Sequence, residues 1–166
     1  MLHAIRGLLF GALTVGLGCW LAGARADAQA AGKEKDKVGD PVKITTVDGV
    51  DLHGLFFPSP KKDAPAVILL HPLGDTGMTK SYTSLAESLQ PNYSVMCFDF
   101  RGHGKSKDID PVLFRKYPGN QRVKGGPMKT TIEYGDFPKD YYPVMCNDIA
   151  AVKAYLDRKN GRNGRE

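Results

Sequence analysis

Two stretches limit the fold of this chain more than any other feature: residues 66–77 (AVILLHPLGDTG) and 94–106 (SVMCFDFRGHGKS). Each is an uninterrupted apolar run that gives way to glycine, proline and charge. A run of this length without polar alternation reads as a strand buried on both faces, the kind that sits in a parallel sheet covered by helices. Strands are therefore predicted over 66–70 and 94–99. Between them, Tyr82, Leu85, Ala86 and Leu89 recur at helical spacing and Pro91 stops the pattern, which predicts a helix over 81–90. A strand, a helix and a second strand joined this way form a right-handed crossover in one parallel sheet.

The flanking segments add a hairpin and a second helix. Residues 42–47 and 50–57 are β-rich runs separated by Asp48-Gly49, a hairpin signal in which both central residues take positive φ. Residues 58–65 form a loop. Residues 144–159 place Met145, Ile149, Val152 and Leu156 on one stripe, and Asn160-Gly161 ends that helix. The segment 107–142 is rich in Lys, Pro and Gly and keeps no period, so it reads as an insertion, either a solvated loop or a cover, with a short strand possible at 130–134. Residues 161–166 are a polar tail.

The N-terminus reads as a targeting segment. One cation before residue 7, an uncharged stretch over 7–24 and alanines at 24, 26, 28 and 30 have the layout of a cleavable secretory signal, giving residues 1–30 as a signal peptide and 31–41 as a charged linker. Export to the periplasm or the outside is the expected localisation; the alternative is an N-terminal membrane anchor, since 18 uncharged residues just reach spanning length. Removing residues 1–30 takes away Arg6, Arg25 and Asp27, so the net charge of +5 becomes +4. That excess is scattered and lacks aromatic interleaving, which argues against nucleic acid as a partner. Cys97 and Cys146 are expected as buried free thiols.

Two motifs follow the paired strands. His71-Pro72-Leu73-Gly74 leaves the first, and Asp99-Phe100-Arg101-Gly102-His103-Gly104-Lys105-Ser106 leaves the second. Together they resemble the His-Gly-x-Gly loop and the D-x-R-G-x-G-x-S loop of the α/β-hydrolases, in particular the secreted bacterial esterase or serine-aminopeptidase-like branch. The resemblance covers residues 42–160. It implies the N-terminal half of a mostly parallel sheet, with helices on both faces and its first four strands in spatial order 1-2-4-3. It also implies that the backbone N–H of Leu73 contributes to an oxyanion hole. Pro72 departs from the family's usual glycine but removes only its own N–H. The charged pair of the second loop is expected to tie that turn together. His71 and His103 are expected as loop-packing residues, because the family's base histidine follows its nucleophile and acid. Gly104-Lys105-Ser106 imitates the end of a Walker A loop, but that motif needs glycine where Asp99 stands.

The family's nucleophile sits in G-x-S-x-G, on a strained strand-to-helix turn. No such pentapeptide occurs in the 166 residues. The resemblance therefore implies a serine hydrolase of esters, thioesters or amides by lineage, with the triad missing here and this chain expected to be an inactive fragment. No cofactor and no metal is expected. The alternative is a non-catalytic interaction module whose sheet is completed by a partner strand. In either case strand 66–70 would lie at an edge.

Overall fold

The computed structural model describes residues 39–159. The expected signal peptide (1–30), most of the linker (31–38) and the tail (161–166) lie outside the described residues. Four strands form one sheet: β1 (Asp40–Thr45), β2 (Asp51–Phe57), β3 (Ala66–Leu69) and β4 (Ser94–Phe98). Their order is β1-β2-β4-β3. β1 and β2 pair antiparallel, as do β2 and β4, while β3 runs parallel to β4 with Ala66 opposite Ser94. Helix α1 (Lys80–Leu89) makes the crossover, and α2 (Pro111–Lys116) and α3 (Cys146–Lys159) follow.

β4 is the centre of the domain, and its residues alternate between the two faces. Val95 and Cys97 pack with Phe57 and Ala86 on the α1 side; Met96 and Phe98 pack with Phe56, Val152 and Leu156 on the α3 side. All four β4 side chains are essentially sealed from solvent, each gaining about 1.5–3 kcal/mol from burial. β3, as expected, is an edge. Ala66 is exposed, and Val67, Ile68 and Leu69 are only half-buried.

Glycine permits two close approaches. Gly54 of β2 lies so near β4 that a Cβ there would meet the Cys97 carbonyl oxygen at 2.5 Å. Gly77 leaves the β3 loop hard against the Phe98 carbonyl, where any side chain would overlap it.

Several expectations need correction. The hairpin forms, but its connection is residues 46–50 and only Gly49 has positive φ (78°). Asp48 is buried at 1% exposure and its side chain is directed into the domain, so it is not a free turn residue. Residues 107–142 are mostly exposed but anchored by a few buried side chains, with Phe114 and Ile132 at 0% exposure within the α3-side core. The short strand at 130–134 reduces to a single bridge between Asp108 and Thr131. Of the two cysteines, Cys97 is buried and free as expected, whereas Cys146 is free but exposed, because α3 turns it away from the stripe that begins at Met145.

Candidate functional site

The loops that leave β3 and β4 meet at the C-terminal ends of those strands and are stitched together by three side chains. The first is Asp99, which directly follows β4 and has no exposed surface. Its Oδ1 accepts the Gly77 N–H at 2.9 Å and the Thr76 hydroxyl; its Oδ2 accepts the Lys105 N–H at 3.0 Å. One carboxylate thus holds both loops. The charged pair of the motif does not close on itself, since Asp99 and Arg101 take separate partners.

The second and third are the histidines. His71 Nε2 accepts the Phe100 N–H at 2.9 Å, which leaves Nδ1 to donate to the Pro72 carbonyl at 2.7 Å. His103 Nε2 accepts the Gly74 N–H at 2.9 Å, and its Nδ1 donates to the Arg101 carbonyl at 2.9 Å. Each ring joins one loop to the other, and each must be neutral with its proton on Nδ1 to do so. Burial, with His71 adding, holds His103 below the usual imidazole range. Neither ring keeps a nitrogen for general-base work, so both are loop-packing residues, as expected from sequence.

Leu73 lies in the middle of this pinned loop. The N–H of Gly74 is committed to His103, and that of Asp75 to the Pro72 carbonyl at 3.2 Å. The Leu73 N–H has no acceptor among the described residues, and its side chain is 41% exposed. A fixed backbone donor without a partner, at the carboxyl end of a parallel strand, is the geometry an oxyanion donor needs.

Several described serine and cysteine side chains are committed elsewhere. Ser106 is sealed from solvent and its Oγ accepts the His53 N–H at 2.8 Å. Ser88 donates to the Leu85 carbonyl within α1 at 2.7 Å. Burial pushes the Cys97 thiol up to about 12, which keeps it protonated and inert. Among the described residues no group of three or more His, Cys, Asp or Glu side chains could hold a metal ion.

Beneath the loops lies a buried ion cluster that the sequence did not reveal. Arg101, sealed from solvent, bonds Asp148 through its backbone N–H (3.0 Å), Nε (2.8 Å) and Nη2 (2.7 Å), and Asp48 through Nη1 (2.6 Å) and Nη2 (3.0 Å). Tyr141 accepts from Nη1 at 3.1 Å, and the Asn120 amide donates to Asp48 at 2.8 Å. Two carboxylates share one cation here. Burial raises the Asp148 carboxyl, and the neighbouring Asp48 charge adds to the rise. Burial also opposes ionisation of Asp48, but Arg101, Asn120 and Thr46 outweigh it and hold that carboxyl below its usual value. The cluster binds the hairpin, the β4 loop, the insertion and α3 behind the candidate donor.

An antiparallel hairpin feeding parallel strands in order 1-2-4-3, with these two loops at their carboxyl ends, is the arrangement of the first four strands of an α/β-hydrolase. The chain carries part of an α/β-hydrolase fold. No protein-family model matches it. A stretch of 72 residues is 39% identical to the uncharacterized protein YfhR of Escherichia coli strain K12, covering 41% of this chain and 25% of that one. The chain is also similar to three solved structures. They are an esterase of Pyrococcus furiosus (24% identity, TM-score 0.46, 72% of this chain and 34% of that chain), an Agrobacterium tumefaciens protein of unknown function (21%, 0.49, 74% and 44%) and an esterase of Exiguobacterium antarcticum (20%, 0.44, 71% and 32%). The match spans about a quarter of YfhR, and the chain covers less than half of each solved structure. In this partial hydrolase fold the two loops are present and firmly held, while no described serine sits on a strand-to-helix turn.

Proposed function

We propose that this chain supplies the oxyanion-binding side of a serine hydrolase that cleaves an ester, thioester or amide through a Ser-His-Asp/Glu triad. The observation that carries the reading is the Leu73 N–H, unpaired in a loop fixed by Asp99, His71 and His103. The triad itself must come from residues other than these 166, which hold no G-x-S-x-G. The chain alone is therefore inactive. Export through residues 1–30 belongs to the same proposal, with retention as a membrane anchor as its alternative.

Two measurements test it. The chain is expected to show no labelling by a fluorophosphonate and no hydrolysis of p-nitrophenyl acetate; labelling at any serine refutes the inactive reading. A polypeptide continuing past Glu166 into a strand and G-x-S-x-G should hydrolyse the ester. In it Leu73→Pro, which removes the donor, should lower kcat by about 100- to 1,000-fold with the fold retained by circular dichroism. An unchanged kcat removes Leu73 from the site. A second reading is a non-catalytic interaction module that recruits a protein strand; β3 has β4 alone as a neighbour among the described residues.

A further inference from the structure

His103 secures the donor loop by one bond, in which its Nε2 accepts the Gly74 N–H at 2.9 Å. That bond needs the imidazole in one orientation with its proton on Nδ1. The Arg101 carbonyl takes the Nδ1 proton at 2.9 Å, and two flanking rings supply the rest. His71 meets His103 edge-on, with centroids 5.1 Å apart at 63°, but His71 belongs to the loop that is being held. Tyr134, from the 107–142 insertion, lies over His103 at 4.6 Å and 41°. His103 is 4% exposed and Tyr134 37%, so the phenol stands between the imidazole and solvent.

The insertion keeps that phenol in place. Tyr134 opens a single 3-10 turn, Tyr134–Asp136, in which the flanking Glu133 and Asp136 cap each other. Lys107 bonds the Glu133 carboxylate at 2.8 Å, and Lys129 bonds that of Asp136 at 2.6 Å. The Tyr134 N–H donates to the Gly102 carbonyl at 2.9 Å, and the Tyr134 hydroxyl is hydrogen-bonded to that of Tyr142. So close a seat requires glycine at 102, where φ is 74° and a Cβ would lie 2.8 Å from both the Tyr134 nitrogen and the Phe137 ring. Backbone and side chain of one turn thus rest on Gly102 and His103 together.

We propose that Tyr134 is a positioning residue for the Leu73 donor, its ring holding His103 in the orientation and tautomer that accept the Gly74 N–H. Without that cover water reaches the imidazole face and competes for Nε2. It also admits the tautomer protonated on Nε2, which turns the acceptor into a donor and releases Gly74, the residue next to Leu73. The inference rests on the oxyanion reading of Leu73, and it gives the insertion a part in chemistry that it does not touch.

The test is hydrogen exchange and imidazole nitrogen resonance on the full chain. Tyr134→Ala should speed exchange of the Gly74 amide by about 2- to 10-fold, the range one aromatic pair contributes, while the amides of β4 keep their rates. His103 should change from one form protonated on Nδ1 to a mixture of tautomers. Tyr134→Phe keeps the ring and should match the wild type in both measurements. Unchanged Gly74 exchange in Tyr134→Ala overturns the proposal. So does acceleration shared equally by β4, or loss of the whole fold, either of which makes the ring a general support. A Tyr134→Phe chain that behaves like Tyr134→Ala assigns the effect to the Tyr142 bond and overturns the role of the ring. The two readings fail separately. An unchanged kcat in Leu73→Pro removes the donor while the exchange result stands, and indifferent Gly74 exchange removes Tyr134 while the donor stands.

Discussion

Replacing Arg101 by methionine removes the single cation that serves two buried carboxylates. Asp48 and Asp148 have no exposed side-chain surface, and Asp148 takes three of its hydrogen bonds from Arg101 alone. Breaking a buried ion pair from one side costs about 3–5 kcal/mol, because it strands an uncompensated charge in the interior. A domain of this size has about 5–15 kcal/mol in all. At about 2 kcal/mol per molar urea, the Arg101→Met midpoint should fall by about 2 M, read by circular dichroism at pH 7. The stranded charge also fixes the sign against pH. Without Arg101 both carboxyls titrate above their unfolded values, so the native state takes up protons first and the deficit shrinks as pH falls from 7 toward 5. The triple variant Arg101→Met, Asp48→Asn, Asp148→Asn buries no charge and should recover about 2 kcal/mol of the loss. An Arg101→Met cost below about 1 kcal/mol, the worth of an exposed pair, would refute this account of the cluster. So would a deficit that grows on acidification.

His103 gives a second pH signature. Its folded-state value is depressed by burial, so the unfolded chain binds the extra proton first, and stability that is complete above about pH 6.5 declines as pH falls below it. His103→Gln should flatten that decline in urea midpoints between pH 7.5 and 5.5; an unchanged slope shows that the ring is not the titrating group. The cysteines should separate by reactivity in a Cys19→Ser chain. Exposed Cys146 is expected to react with Ellman's reagent in the native protein, and Cys97 only after unfolding. Two native equivalents would mean that β4 is not sealed.

The strands and helices that bury regular patterns were legible. The unbroken run at 94–99 became the central strand, ending at Phe98, the stripes of α1 and α3 became their packed faces, and the spatial order agrees with what the family resemblance implied. What escaped was every polar residue whose partner is distant in sequence. Asp48 has the local signature of a hairpin turn, and nothing near it announces Arg101. Asp148 did carry a signal: it falls three residues after Met145 and four before Val152, a charge on the apolar stripe of α3. A carboxylate in that phase calls for a buried cation. In the 99–106 loop, where the charged pair was expected to tie the turn, Asp99 does so through the Lys105 N–H while Arg101 reaches distant partners. Phe114, Ile132 and Tyr141 were not recognisable as core because Phe114 sits in a six-residue helix too short to show a period and the other two come from irregular turns, where no period marks which side chain points inward. The Leu73 N–H was put forward only by the family resemblance, and nothing in the sequence marked the histidine and aspartate stitches that hold its loop.

The Arg101 cluster also decides how the domain comes apart. Residues 48 and 148 stand at opposite ends of the described chain, yet their carboxylates meet on one guanidinium. Fraying of the last helix takes three hydrogen bonds from Arg101, and opening of the hairpin takes two, each uncovering part of a guanidinium that is otherwise sealed. Neither end can loosen cheaply by itself. Amide exchange in β1, β2 and α3 should therefore share a single opening event, and a nascent chain cannot complete the cluster until the hundredth residue after Asp48 has arrived.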